Sequence, residues 1–365
     1  MRRVLFITNS ISFGGAAKML CFVAESLVAR GHEVVIVNLR ATENVTEYER
    51  TIAGAEIVTL DAVPNGKNRH IYRISKIKKI AKDKHSDVVI SFTTFPNMYA
   101  SVVGKLLHIP SIISERGDPN RTIGNSVKDK IVTFIINNAS GGVFQTDGAK
   151  EFYGNGLQKR GAVIPNPIFI KGEIPKIPYA QRKKTVVSVG RLDNEQKRLD
   201  IMLKSFAIFV KTHPEYILKL YGRGTQEAEI KQWCIDLGVQ DKVKFMGLTT
   251  QPMQDIASDG IFLITSDYEG ISNSLLEAMA VGLPCVSTDH TPGGARLLIQ
   301  DHENGLLAPI ADAEALARAL CEFAENPELA KKCGENARDV VNRFEPSGII
   351  DMWEDYIDKV YGGIQ

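Results

Sequence analysis

Short, unbroken runs of aliphatic residues recur along this chain, and most are followed by a turn and then by helix-like sequence. Such runs mark strands buried on both faces, as in a parallel sheet covered by helices. Residues 4–8 form the first run; Gly14-Gly15, an amphipathic stretch at 16–30 stopped by Gly31, and a second run at 33–39 follow. That order is strand, glycine loop, helix, strand, the unit from which parallel sheets are built. Further runs lie at 87–92, 111–114, 142–145 and 162–164. Residues 168–184, rich in Pro and Lys with Pro175 and Pro178, read as a linker. A second series has strands at 185–189, 217–221, 243–245, 260–264 and 285–288 and a helix at 199–212. A closing helix places Trp353, Tyr356 and Val360 near one face. The pattern predicts two doubly wound α/β domains, 1–170 and 178–345, with helix 346–362 packing back on the first. Ligands of such sheets bind beyond the carboxyl ends of the strands.

The length of 365 residues accommodates two domains, each able to bury its own core. A net charge of +1 carries no nucleic-acid footprint, so nucleic acid is not an expected partner. It conceals an asymmetry: residues 1–175 hold 23 Lys/Arg against 15 Asp/Glu, and the remainder holds 21 against 28. Five cysteines without a C-x-x-C pair point to a reducing compartment. The four apolar residues after Met-Arg-Arg are too few for a signal-peptide core, so a cytoplasmic location is expected. No run reaches the roughly 18 apolar residues of a membrane span. Residues 67–84 carry eight basic side chains against Asp83 alone, with Ile71, Ile74, Ile77 and Ile80 spaced as on a helix face. This helix is expected to pack its isoleucines on the sheet and to offer its lysines to an anionic membrane surface.

The densest chemistry lies in EGISNSLLEAMAVGLPCVST, residues 269–288. A loop with Glu269 and Gly270 leads to a helix capped near Ser272 or Asn273. Unpaired N–H groups at a helix start suit a phosphate. Glu277 lies about one turn into the helix, eight residues after Glu269. Carboxylates accept paired hydroxyls, so one suits a sugar and the other a ribose. Gly14-Gly15-Ala-Ala is not the dinucleotide fingerprint, and the second strand ends in Leu39-Arg40 without an acid for a ribose, which disfavours nicotinamide. None of the seven histidines stands in a metal-like spacing, and Asp289-His290 reads as a loop.

The E-x7-E pattern in this context resembles the retaining family-four glycosyltransferases, strongest over 186–307. The resemblance implies the GT-B fold, two Rossmann-like domains facing across a cleft. In SVGRLDNEQKR, residues 188–198, it implies that Gly190, Arg191 and Lys197 hold the donor diphosphate, two cations meeting the charge of a leaving nucleotide. It places Gly222 and Arg223 of YGRGT in a nucleotide loop and backbone near Met246 against the base. Gly270, Ile271, Ser272, Asn273 and Glu277 then complete the donor site, with Glu269 on the donor sugar. Gly15 and the hinge-side Asn166 join the donor site, and Gly14 lies near donor and acceptor. SERGDP, residues 114–119, is similar to the subgroup building bacterial surface polysaccharides, the amylovoran type. Arg116 stands where many members carry histidine, and Glu115 and Arg116 are expected on the acceptor side. The resemblance thus implies a retaining hexosyltransferase that needs no metal or other cofactor. It would carry a sugar from a nucleotide sugar, expected to be a UDP-sugar, to a lipid-linked or polymeric glycan of lipopolysaccharide or capsule. An epimerase of the same fold and an inactive sugar-nucleotide-binding subunit are the alternatives.

Overall fold

A computed structural model describes residues 1–11, 15–39, 52–170 and 172–363. Gly14 lies outside the described residues. The chain divides into two compact units, Met1–Asn166 with Ser347–Gln365, and Pro167–Pro346.

The first unit holds β1 (Arg3–Thr8), β2 (Glu33–Asn38), β3 (Ala55–Thr59), β4 (Val88–Phe92), β5 (Ser111–Glu115), β6 (Gly141–Phe144) and β7 (Gly161–Val163). They form one parallel sheet in the order β3-β2-β1-β4-β5-β6-β7. The order reverses direction between β1 and β4, where open sheets bind ligands. Helix Gly15–Ala29 and the closing helix Pro346–Gly362 cover one face through Leu20, Val23, Ile349 and Trp353. The Trp353 ring stacks on Phe92 at 5.8 Å, and the Tyr356 hydroxyl accepts the Gly142 N–H at 2.8 Å. A Cβ at Gly141 would meet that hydroxyl at 2.5 Å, so the helix sits where only glycine leaves room. Helices Arg69–Asp83, Thr94–Leu107 and Val127–Ile136 cover the opposite face.

The basic helix behaves unevenly along its isoleucines. Ile77 is fully buried, Ile74 and Ile80 pack against the core, and Ile71 is 70% exposed. Most of its lysines face solvent. None of the described helices is long and apolar enough to cross a membrane.

The second unit holds β8 (Thr185–Val189), β9 (Ile217–Tyr221), β10 (Val243–Gly247), β11 (Ile261–Ile264), β12 (Cys285–Thr288) and β13 (Leu306–Ala308). Their order is β10-β9-β8-β11-β12-β13, again parallel, with the reversal between β8 and β11. Leucine, isoleucine and phenylalanine side chains from the sheet and helix Leu199–Phe209 fill one core, and helix Asn273–Ala280 seals the other face.

Two strands have no counterpart in the sequence reading. The edge strand β3 mixes Glu56 and Thr59 with half-buried aliphatics, and β13 has three residues. Neither offers the buried aliphatic run that marks the central strands. The stretch read as a linker also differs. Ile168 is buried in the second core and its N–H donates to Phe344 O at 2.8 Å. The Arg182 guanidinium donates to the carbonyls of Ala257, Asp259, Val281 and Gly282. Residues 167–184 therefore pack with the second unit, and the chain passes between units at Asn166–Pro167.

Candidate active site

The switch point of the second sheet gathers the loops after β8 and β11. The β8 loop turns into a short helix, Asn194–Lys197, capped by Asp193, whose side chain accepts the Glu195 N–H at 3.0 Å. Several bonds lash it to the β11 loop. Thr265 Oγ1 donates to the carbonyls of Lys197 and Arg198 at 2.8 and 3.1 Å. The Asp267 N–H donates to Gln196 O, and Gln196 Nε2 donates to Tyr268 O, both at 3.0 Å. Arg198, held in a left-handed conformation at φ +48°, pairs with Asp200 and Asp267, each at 2.9 Å. These two carboxylates raise its pKa, so it remains a fixed cation that braces both loops.

The bracing brings Lys197 against Glu269. The Lys197 ammonium donates to Glu269 Oε1, and so does Ser266 Oγ. Glu269 is 8% exposed. Burial alone would raise its pKa. Lys197, His290 and the hydrogen bonds from Lys197 and Ser266 outweigh that and hold it below the ordinary carboxylate range. Arg191 is exposed, with its guanidinium on Gln196 Oε1 at 2.6 Å and 3.4 Å from Asp193. One cation is thus half-buried and paired, and the other reaches into solvent.

The neighbouring loops approach at backbone distance. Gly222 has φ +145°, and a Cβ there would overlap the Gly190 carbonyl, so position 222 requires the absence of a side chain. The Gly190 N–H donates to Tyr221 O at 2.9 Å, and the Gly222 N–H to Gly247 O at 2.8 Å. Arg223 stands exposed just beyond. The register of β10 slips between Phe245 and Gly247, which leaves Met246 out of the ladder and 43% exposed. After Glu269, Gly270 and Ile271 are buried, and Ser272 caps helix Asn273–Ala280 by accepting the Leu275 N–H at 3.4 Å. Asn273 and Glu277 are half-buried on its first turns. The recess between Gly190, Lys197, Tyr221 and Ser266 is about 10 Å³, room for no more than a water. A ligand at this edge lies over the loops rather than inside the unit.

The first unit carries the other predicted residues on its own carboxyl edge. Gly15, exposed, opens the helix after β1. Glu115 ends β5 buried, accepting from the Tyr153 hydroxyl and from the Arg116 N–H, both at 3.0 Å. Burial lifts its pKa above the ordinary value, and those bonds offset it only in part. The Arg116 guanidinium does not turn to Glu115. It donates to Asn166 Oδ1 and, at 3.4 Å, to Ile164 O, while its Nε has no partner among the described residues. Arg116 and Asn166, predicted for different substrates, are thereby direct neighbours.

Sequence reasoning passed over Ser266, Asp267 and Tyr153, and read His290 as part of a loop. The first two fall inside the motif-bearing stretch, where a signal was present. Tyr153 lies 38 residues from its carboxylate and had none. One histidine cluster lies outside what spacing can show. His213, Cys321 and Glu325 present donor atoms all within 4.8 Å of one another. His213 lies 108 and 112 residues from the other two, so no spacing could reveal the cluster.

Two parallel α/β units, each with polar loops at the carboxyl edge of its switch point, are the architecture of nucleotide-using group transferases of the GT-B fold. The comparisons agree. A family model described as "Glycosyl transferases group 1" matches residues 170–340, and one described as "Glycosyltransferase Family 4" matches residues 13–170. The chain belongs to the family-4 glycosyltransferases of the GT-B fold, and its activity is glycosyl transfer. It is 26% identical, over 99% of both chains, to the GalNAc-alpha-(1->4)-GalNAc-alpha-(1->3)-diNAcBac-PP-undecaprenol alpha-1,4-N-acetyl-D-galactosaminyltransferase of Campylobacter jejuni. It is similar in structure to the lipopolysaccharide outer core galactosyltransferase WaaB, with a TM-score of 0.80 and 20% identity over 98% of this chain and 99% of that one. It is also similar to Anabaena Alr3699/HepE, solved with UDP and glucose, with a TM-score of 0.82 and 19% identity over 98% of this chain and 100% of that one.

Proposed function

We propose that this chain is a retaining glycosyltransferase of surface-polysaccharide or lipopolysaccharide assembly, using a UDP-sugar and a lipid-linked or polymeric glycan acceptor. The carrying observation is the braced Lys197–Glu269 pair beside the capped start of helix Asn273–Ala280. The galactosaminyltransferase relative's undecaprenol-linked acceptor and the UDP bound to the Anabaena protein support the two substrate classes.

In this reading the donor diphosphate lies over the β8 and β11 loops. Lys197 and Arg191 meet its charge, and the positive end of the helix at its start adds to them. Glu269 accepts from hydroxyls of the donor sugar and Glu277 from the ribose. Backbone near Met246 meets the base. The acceptor hydroxyl attacks the anomeric carbon on the face from which the diphosphate departs. A diphosphate oxygen takes the acceptor proton as the bond to the anomeric carbon breaks. Charge grows on the leaving phosphate, which two cations can stabilise without a divalent ion. Glu115 and Arg116 shape the acceptor side, and the lysines of helix Arg69–Asp83 meet anionic lipid that carries the acceptor.

A panel of nucleotides and nucleotide sugars without added metal, read by thermal shift, tests the donor site. A ligand at 100 times its Kd raises stability by about 2.7 kcal/mol. A shift with UDP and a larger one with a single UDP-sugar is the expected result; no shift with any nucleotide refutes the donor assignment. The anomeric configuration of the product, read by NMR, decides retention, and transfer in excess chelator decides metal independence. Co-flotation with anionic but not neutral vesicles is expected for membrane contact.

A further inference from the structure

His290 is the most deeply buried imidazole near the candidate site, at 1% exposure. Its neighbour Thr291 bridges to Tyr268, and the Thr291 carbonyl accepts the Glu269 N–H at 2.8 Å. The Thr291 N–H in turn donates to Asp267 O at 3.3 Å. The loop after β12 is thereby zipped to the loop that carries Glu269. A Cβ at Gly294 would stand 3.2 Å from His290 Cε1 and would overlap the Gly270 carbonyl, so the imidazole is closed in by backbone. Apart from a loose contact with the Thr291 backbone, neither ring nitrogen finds a hydrogen-bond partner of normal geometry among the described residues. Buried polar atoms in folded proteins nearly always find a partner, so two on one ring call for an explanation.

The charges around the ring supply one. Glu269 and Asp289 favour its protonated form and Lys197 opposes it, while Asp289 is itself held by Arg296. Burial is the largest effect and opposes protonation more than any of these; with a backbone hydrogen bond to Thr291 also favouring the charged form, the ring's pKa is still lowered and the resting imidazole is neutral. In that state Lys197 is the counter-charge of Glu269. The proposed function, on which this step rests, turns Lys197 toward the donor diphosphate. Glu269 would then be a buried carboxylate deprived of its cation, an expensive arrangement. The same movement removes a neighbouring cation that opposes protonation of the ring.

We propose that His290 is a positioning residue that takes a proton from solvent onto a ring nitrogen as a diphosphate draws Lys197 away. Imidazolium then replaces ammonium as the counter-charge of Glu269. The carboxylate keeps its charge and its orientation toward the sugar hydroxyls. Because binding takes up a proton, affinity for the diphosphate rises as pH falls toward the ordinary histidine range near 6.5.

The test is calorimetric titration of the full chain with UDP at pH 7 in two buffers of different ionisation enthalpy. The UDP terminal phosphate itself titrates, so the reading is the difference between wild type and His290→Asn. Wild type is expected to take up more protons than the variant, with the variant still binding UDP. Equal uptake by the two proteins overturns the inference while leaving the donor site intact. Failure of wild type to bind UDP overturns the donor-site reading and this inference with it. Ring-nitrogen NMR of wild-type protein gives the answer without a variant: the His290 signals should move from the neutral to the imidazolium pattern on saturation with UDP. A ring that stays neutral in the complex overturns the proposal.

Discussion

The carboxyl edges of the two sheets hold their central carboxylates in opposite ways. Glu269 in the second unit is buried against a lysine, and its pKa is held down. Glu115 in the first is buried against a tyrosine hydroxyl and a backbone N–H, and its pKa is pushed up. Both are nearly inaccessible. What differs is whether a cation was brought within reach, and that depends on which loops were braced together. The second edge favours the charged carboxylate; the first disfavours it.

The sharpest way to break this contrast is to remove the cation. Lys197→Ala should lower the transfer rate by about 10²- to 10³-fold, the usual effect of losing one group that stabilises developing charge. It should also destabilise the second unit by about 3–5 kcal/mol, because a buried charge loses its partner. Steady-state kinetics and denaturant unfolding read the two effects separately. Lys197→Ala with Glu269→Gln should recover much of the stability and none of the rate. A stability loss unchanged in the double variant would mean that the pair is not coupled.

In the first unit the matching change is Tyr153→Phe. It removes one hydroxyl donor from Glu115, and the expected cost is about 1–3 kcal/mol. Because no ion pair is broken, Glu115→Gln should cost less than Glu269→Gln at pH 7. Equal costs in urea titrations would erase the distinction between the two edges.

Acid titration sharpens it further. The lowered pKa of Glu269 contributes stability that is present above its unfolded value, about 4.3, and is lost as pH falls through the folded value. The raised pKa of Glu115 works the other way: its contribution is complete below that unfolded value and is lost as pH rises through the folded one. Glu269→Gln should therefore flatten the loss of stability in acid. Glu115→Gln should instead flatten a loss that appears on raising pH. Unfolding free energies from pH 3 to 7 for both variants would show slopes of opposite sign relative to wild type.

The smallest effect belongs to Arg191. Its guanidinium is exposed, so Arg191→Ala should change stability by no more than about 0.5 kcal/mol. It should still weaken UDP binding by roughly tenfold, in line with about 1.4 kcal/mol for one charged contact. Such a split separates a cation that waits in solvent from one that also holds the fold.

The central strands were legible because a strand covered on both faces writes itself as an aliphatic run. Residues 4–8 and 185–189 gave β1 and β8 almost to the residue. The edge strands β3 and β13 were not legible, since partial exposure and short length remove that signal. The loops proposed to take the donor were legible for a different reason. A glycine, a helix cap and two glutamates follow one another in sequence at 266–277, so that stretch carries its own description.

What the sequence by itself determined is therefore the parallel architecture, the two-unit division in outline and the identity of the polar groups in the second-unit loops. These follow from local periodicity and from residues near one another along the chain. Tertiary structure alone decided the partnerships. It set Lys197 on Glu269 across 72 residues, Tyr153 on Glu115 across 38 and Arg116 on Asn166 across 50. It also buried His290 beside the Glu269 loop. Charge and hydrogen bonding act through space over a few ångströms, and only the completed sheet brings such distant residues that close.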